Sequence, residues 1–152
     1  MQRDGINFHN TFTPVINWST VMLIIIMAEI DGWESIQIDY VISFSQAPIY
    51  SDVYIPLPAG FHVDGKNKDE SYFLKLKINI YGTLQEAENW FDMLKTGLED
   101  EGFKRNKIDL CLFVRNNCII ICYVGGCCII SKDKGTIDAL FKNLSKTFKL
   151  AN

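Results

Sequence analysis

Residues 118–130 are apolar throughout except for Gly125 and Gly126, and β-branched side chains fill much of the two flanking runs. Two such runs around a Gly-Gly pair predict a β-hairpin, because glycine supplies the positive φ that a two-residue turn demands. A transmembrane helix is the rival reading. Its 13 residues fall short of the ~20 needed to span a bilayer, and adjacent glycines weaken a helix.

The same reading of apolar spacing orders the rest of the chain. Residues 21–28 are continuously apolar, so a helix of about 11 residues is predicted from a Ser19 or Thr20 cap to Ile30, ended by Asp31-Gly32 and buried in the core. Residues 33–43 alternate as a strand, with Ile36, Ile38, Tyr40 and Ile42 on one face. Gln37, Asp39, Val41 and Ser43 form the less apolar face. Pro56, Pro58, Gly60, Gly65 and the charged run 66–70 predict a surface loop over 56–71.

A strand over 72–80 and a turn at Tyr81-Gly82 follow. Ala87, Trp90, Phe91, Leu94 and Leu98 then repeat at three-to-four spacing, predicting a helix over 85–100 with Gly102 as its stop. A short strand over 110–114, the hairpin, and a last helix from about Thr136 with Ile137, Leu140, Phe141, Leu144 and Phe148 on its stripe complete the chain. The sum is an α+β fold in which amphipathic helices cover one face of an antiparallel sheet.

Composition narrows this only a little. With 152 residues, 48% hydrophobic and 22% charged, the chain fits one globular domain over residues 1–152. A net charge of −3 gives no diffuse positive field for a phosphate backbone, so nucleic-acid binding would need a local basic groove. Met1 to His9 lack the apolar core of a signal peptide, which implies an intracellular address. Cys111, Cys118, Cys122, Cys127 and Cys128 lack paired zinc-site spacing and read as small hydrophobes in strands. Cys127, Cys128 and Ile129 are expected to present apolar surface on the hairpin.

In order along nearly the whole chain stand Gly5-Ile6-Asn7-Phe8, Thr11-Phe12-Thr13-Pro14-Val15, Trp18-Ser19-Thr20-Val21, Gly32-Trp33-Glu34, Gln37-Ile38-Asp39 and Pro58-Ala59-Gly60-Phe61. Tyr81-Gly82, Trp90, Gly102-Phe103-Lys104-Arg105, Cys111-Leu112 and Tyr123-Val124 continue the series. This chain resembles the reverse transcriptase domain of copia-type long-terminal-repeat retrotransposons. The resemblance implies the palm and part of the fingers of a right-hand polymerase. It implies RNA-directed DNA polymerase activity by two-metal nucleotidyl transfer, with Mg²⁺ as cofactor and template-primer nucleic acid and dNTP as partners. The family's N-terminal finger strands, thumb and ribonuclease H region fall outside the matched stretch, and no membrane partner is implied.

In that family three aspartates hold two magnesium ions about 4 Å apart, which activate the primer hydroxyl and stabilise the leaving pyrophosphate. Asp39 matches the first aspartate, Phe44 the aromatic that checks the sugar 2′ position, and Gln85 the glutamine of the nucleotide-contacting motif. Gly125 and Gly126 stand where the aspartate pair belongs. Glycine offers no anionic oxygen, and Mg²⁺ binds poorly without clustered carboxylates or substrate phosphates. Asp133 and Asp138 lie seven or more residues past the turn, ~20 Å along a strand. Family cations are also replaced, by Asn17, Met22, Val41, Leu84 and Glu88.

These matches therefore predict a degenerate domain, with Asp39 a vestigial metal ligand, no tightly bound Mg²⁺ and no polymerase activity. The alternatives are a nucleic-acid or protein binding module on the same scaffold, or residual activity completed by a partner chain. Asp39 also reads as a solvated strand carboxylate, Phe44 and Trp90 as core aromatics, and Gln85 as a first-turn helix residue. Lys142, Lys146 and Lys149 read as a solvated helix face; His9 and His62 receive no role.

Overall fold

The computed structural model describes residues 12–61 and 72–151. The Gly5 to Thr11 stretch, both histidines and most of the predicted 56–71 loop lie outside the described residues. Among the described residues, four helices and seven strands follow in the order α1 (Trp18–Asp31), β1 (Glu34–Asp39), α2 (Ser43–Gln46), β2 (Tyr54–Pro56), β3 (Phe73–Lys75), α3 (Glu86–Asp100), β4 (Lys104–Arg105), β5 (Leu112–Arg115), β6 (Cys118–Tyr123), β7 (Gly126–Ser131) and α4 (Lys134–Thr147). The larger sheet is antiparallel in the order β1-β7-β6-β5-β4, and β2-β3 form a separate pair. The mixed architecture with an antiparallel sheet is the one the apolar spacing predicts.

Helices cover both faces of the sheet, not one. Side chains alternate across a strand. On one face Tyr40, following Ile38, meets Trp90 of α3 and Phe148 after α4 edge-on, at 5.0 and 5.5 Å between ring centroids. On the other, Ile119 and its cross-strand partner Ile130 share a small cavity with Ile24 and Ala28 of α1. The β6–β7 hairpin is apolar on both sides for this reason. Cys127 and Ile129 are accordingly buried and Cys128 half-buried, so these three residues do not form the exposed apolar surface expected of them.

That surface lies on α1 instead. Asn17, not Ser19 or Thr20, caps the helix, its side chain accepting from the Ser19 N–H at 2.9 Å, and Gly32 ends it at φ 65°. Only Ile24 and Ala28 are buried; Met22, Leu23, Ile25, Ile26, Met27 and Ile30 are exposed. An all-round apolar sequence carries no direction, so spacing alone could not show that just one side meets the sheet.

The predicted strand over 33–43 stops at Asp39 because the chain turns there. Ile42 takes the left-handed φ of 48° and is exposed, and α2 begins at Ser43. Gln46 fastens this corner to the C-terminal segment. Its Nε2 donates to the Val41 and Lys149 carbonyls at 2.8 and 3.0 Å, and its Oε1 accepts from the Lys149 N–H at 2.7 Å. Of the strand predicted over 72–80, only Phe73–Lys75 pairs as a strand. Beyond it Asn79 donates through Nδ2 to the Ala47 and Pro48 carbonyls, which takes the backbone away from its partner.

Helix α3 buries Trp90, Phe91, Leu94 and Leu98, and α4 buries Ile137, Leu140 and Leu144, on the stripes their spacing predicts. Gly97, inside α3, permits close approach. A Cβ there would stand 2.7 Å from Phe148 Cζ, and Phe148 is buried against Tyr40 and Trp90. Gly97→Ala gains ~1 kcal/mol of helix propensity and loses ~1–3 kcal/mol to overpacking. A net loss of about 1 kcal/mol is expected in urea unfolding; a gain would show that Phe148 is free to move aside.

Candidate functional site

The end of β1 and the β6–β7 turn come together. Asp39 is the register partner of Gly126, and the Tyr40 N–H donates to the Gly125 carbonyl at 2.9 Å. The two-residue turn consists of Val124 and Gly125, since Tyr123 pairs with Gly126 inside the ladder. Val124 takes the positive φ, 50°, while neither Gly125 nor Gly126 does. The positive φ expected of the Gly-Gly pair is thus carried by Val124 and not by a glycine. Trp90 Nε1 donates to the Val124 carbonyl at 3.1 Å, fixing the left-handed residue from the α3 side.

Space, not φ, explains both glycines. A Cβ at Gly126 would lie 2.6 Å from Asp39 Oδ1 and 3.1 Å from the Ile38 carbonyl oxygen. One at Gly125 would lie 2.8 Å from Ser43 Oγ. A side chain at either position would make its neighbours shift: Ser43 at Gly125, and Asp39 with the Ile38 carbonyl at Gly126.

A cleft of about 690 Å³ opens here between the start of α1, the end of β1 and the hairpin. Asp39, Phe44, Gly125 and Gly126 all border it. Phe44 is half-buried and meets Tyr81 edge-on at 5.2 Å. Gln85 does not join them: it is buried at the start of α3, with Nε2 3.4 Å from Ser51 Oγ. Ser43, Trp18, Tyr81 and Tyr123 also border the cleft; the last three stand in the matched motifs, which give none of them a role at the site. Motif membership was the usable signal for Trp18, Tyr81 and Tyr123; Ser43 had none.

The residues present do not fit a two-metal centre. Asp39 is exposed and faces a glycine, and the described residues contain no group of three His, Cys, Asp or Glu able to hold a metal. Two magnesium ions side by side need several carboxylates to offset their charge, which one carboxylate and a serine hydroxyl do not supply. Asp133 is committed elsewhere as the cap of α4. Its carboxylate accepts from the Thr136 hydroxyl and N–H at 2.9 and 2.8 Å, which holds its pKa below the usual value.

Behind the turn lies a thiol cluster. Cys122 and Cys127 face each other across the hairpin with Sγ atoms 3.3 Å apart, and the Tyr40 hydroxyl is 3.5 Å from Cys127 Sγ. Burial pushes the Cys111 thiol up to about 11 and raises Cys118 and Cys128. The Cys127 contact, then burial, raises Cys122 strongly, and burial raises the Tyr40 phenol. Each group is thus held neutral by the fold and deprotonates first in the unfolded chain. Their stabilisation is complete below the ordinary thiol pKa and is lost as pH rises through the folded values. The thermal midpoint is expected to fall steadily from pH 8.5 to 11, and Cys111→Ala to flatten part of that slope. An unchanged slope in the variant would remove Cys111 from this account.

Residues 1–152 match the family described as reverse transcriptase (RNA-dependent DNA polymerase). The chain is 28% identical to a retrovirus-related Pol polyprotein from transposon TNT 1-94 of Nicotiana tabacum, with 98% of this chain and 11% of the relative covered. It is 32% identical to that from transposon RE2 of Arabidopsis thaliana, covering 95% of this chain and 10% of the relative. With that from RE1 of the same plant the identity is 31%, covering 98% and 10%. The chain spans about a tenth of the length of these relatives. No solved structure matches it. With a match over its full length and this agreement with retrotransposon Pol proteins, the chain belongs to the reverse transcriptase family, in its copia-type retrotransposon branch.

Proposed function

We propose that this chain is a palm with part of the fingers, descended from a retrotransposon polymerase, that has lost nucleotidyl transfer. The observation that carries this reading is the pairing of Asp39 with Gly126. Where a second carboxylate would start, Asp39 Oδ1 itself stands 2.6 Å from the Cβ position. The acid is the remnant of the metal site, Phe44 the remnant of the nucleotide site, and no Mg²⁺ is held tightly. Positioning and charge stabilisation supply nearly all of phosphoryl-transfer catalysis, so their loss leaves no measurable rate.

The electrostatics support the same reading. Among the described residues bordering the cleft there is no Lys, Arg or His, so a triphosphate or a template phosphate finds no counter-charge. Met22, in place of a family arginine, is exposed and uncharged, and Asn17, in place of a lysine, caps α1. The five free thiols suit the intracellular address. No helix among the described residues is long and apolar enough to cross a membrane.

Primer extension on an RNA template, with Mg²⁺ or Mn²⁺ and all four dNTPs, is the test. The expected result is incorporation at background. Extension that disappears in Asp39→Ala would overturn the reading. Template-primer binding with a steep salt dependence would restore the nucleic-acid module instead, because that slope counts displaced counterions.

A further inference from the structure

The cleft that no longer suits a triphosphate has a definite chemistry of its own. Trp18, Tyr81 and Tyr123 border it while 73%, 63% and 58% exposed, and they come from three separate segments, the start of α1, the turn before α3 and the end of β6. Phe44 and the buried Tyr40 add two further rings at its wall. Asp39 is the one charged side chain among the described residues around it. A concave apolar site with few polar groups is the usual form of a small-molecule pocket. Aromatic faces attract a cation, most strongly where water is partly excluded. The carboxylate adds attraction of the same sign, and no positive side chain among the described residues at the cleft opposes it.

We propose that this cleft binds a flat, singly charged organic cation, an aromatic frame carrying a quaternised or protonated nitrogen, with the charge at Asp39 and the frame against Trp18 and Tyr123. The inference rests on the reading that the nucleotide site is lost. Ligands of the opposite charge are disfavoured by the same features: a nucleotide brings several negative charges to a site whose only fixed charge among the described residues is negative. Loss of the two aspartates thus changes the preference of the cleft from metal-bound phosphate to organic cation.

Fluorescence titration of the full chain with thioflavin T, a planar monocation, tests this. A saturable one-to-one enhancement is expected. Asp39→Asn is expected to weaken it roughly fivefold, the size of one partly exposed charge pair. Trp18→Ala is expected to weaken it roughly tenfold through the lost ring. Both residues are exposed, so neither change removes core packing. Anilinonaphthalene sulfonate, an apolar anion, is expected to bind at least tenfold more weakly than the cation. Absence of saturable binding, equal binding of the anion, or affinity unmoved by both substitutions would overturn the proposal. Adding dTTP with Mg²⁺ separates the two readings. Displacement of the dye by the nucleotide would sink both. A cleft that takes neither dye nor nucleotide sinks only the cation proposal and leaves the loss of nucleotidyl transfer standing.

Discussion

Gly125→Asp with Gly126→Asp is expected to lower the thermal midpoint by about 10 °C in the absence of divalent metal, and millimolar Mn²⁺ to recover most of that loss. The wild-type midpoint is expected to be unmoved by the same Mn²⁺. The sign of the first effect follows from space. The new Cβ atoms would stand 2.8 Å from Ser43 Oγ and 2.6 Å from Asp39 Oδ1, so both side chains must rotate away. Overpacking costs ~1–3 kcal/mol, and a like charge directly across the ladder adds up to ~1 kcal/mol. A total near 3 kcal/mol corresponds to roughly 6–12 °C in a chain of this size.

The recovery follows from mass action. Three carboxylates at one end of β1 and the hairpin form the cluster a divalent cation needs, and binding to the folded state alone at a hundredfold excess over Kd returns about 2.7 kcal/mol. Calorimetry with and without Mn²⁺ reads both steps. An equal metal response in the wild type would mean that Asp39 binds the ion without the missing pair, and the account of the hairpin would be wrong. A double variant that stays folded but ignores Mn²⁺ would show that the ancestral geometry has drifted too far to be restored by two carboxylates.

Trp90→Ala is expected to cost about 4 kcal/mol, or 8–16 °C, and to weaken the near-ultraviolet circular dichroism signal of the aromatic cluster. Trp90 is 1% exposed and stands edge-on to Tyr40 and Phe148 at 5.0 and 5.8 Å. Its Nε1 also donates to the Val124 carbonyl, so one side chain joins α3, β1, the end of α4 and the hairpin turn. Truncation leaves a cavity and an unpaired carbonyl together. Trp90→Phe keeps most of the ring and loses the hydrogen bond, for an expected cost of about 1–2 kcal/mol. A shift of less than 2 °C for the alanine variant would show that α3 and the hairpin are held together by other contacts. This tryptophan therefore has a structural role sufficient to account for its presence, independent of any nucleotide.

Sequence by itself determined the elements whose patterns are local. The stripes of α3 and α4, the paired apolar runs of β6 and β7, the stop at Gly102 and the family were all written in spacing and motif. The absence of the aspartate pair was equally plain, because a glycine cannot supply a carboxylate in any fold. Tertiary structure alone decided what depends on residues far apart in the chain. It ended β1 at Asp39 through a corner tied by Gln46 to Lys149, 103 positions away. It left most of an all-round apolar α1 uncovered among the described residues, since an apolar sequence states no facing partner. It assigned the positive φ to Val124 and gave Gly125 and Gly126 a different reason, close approach to Ser43 and Asp39. It gathered Trp18, Phe44, Tyr81 and Tyr123 around one acid while leaving Gln85 buried outside that lining. Local periodicity fixes which face of an element is apolar; only the packed chain fixes what that face meets.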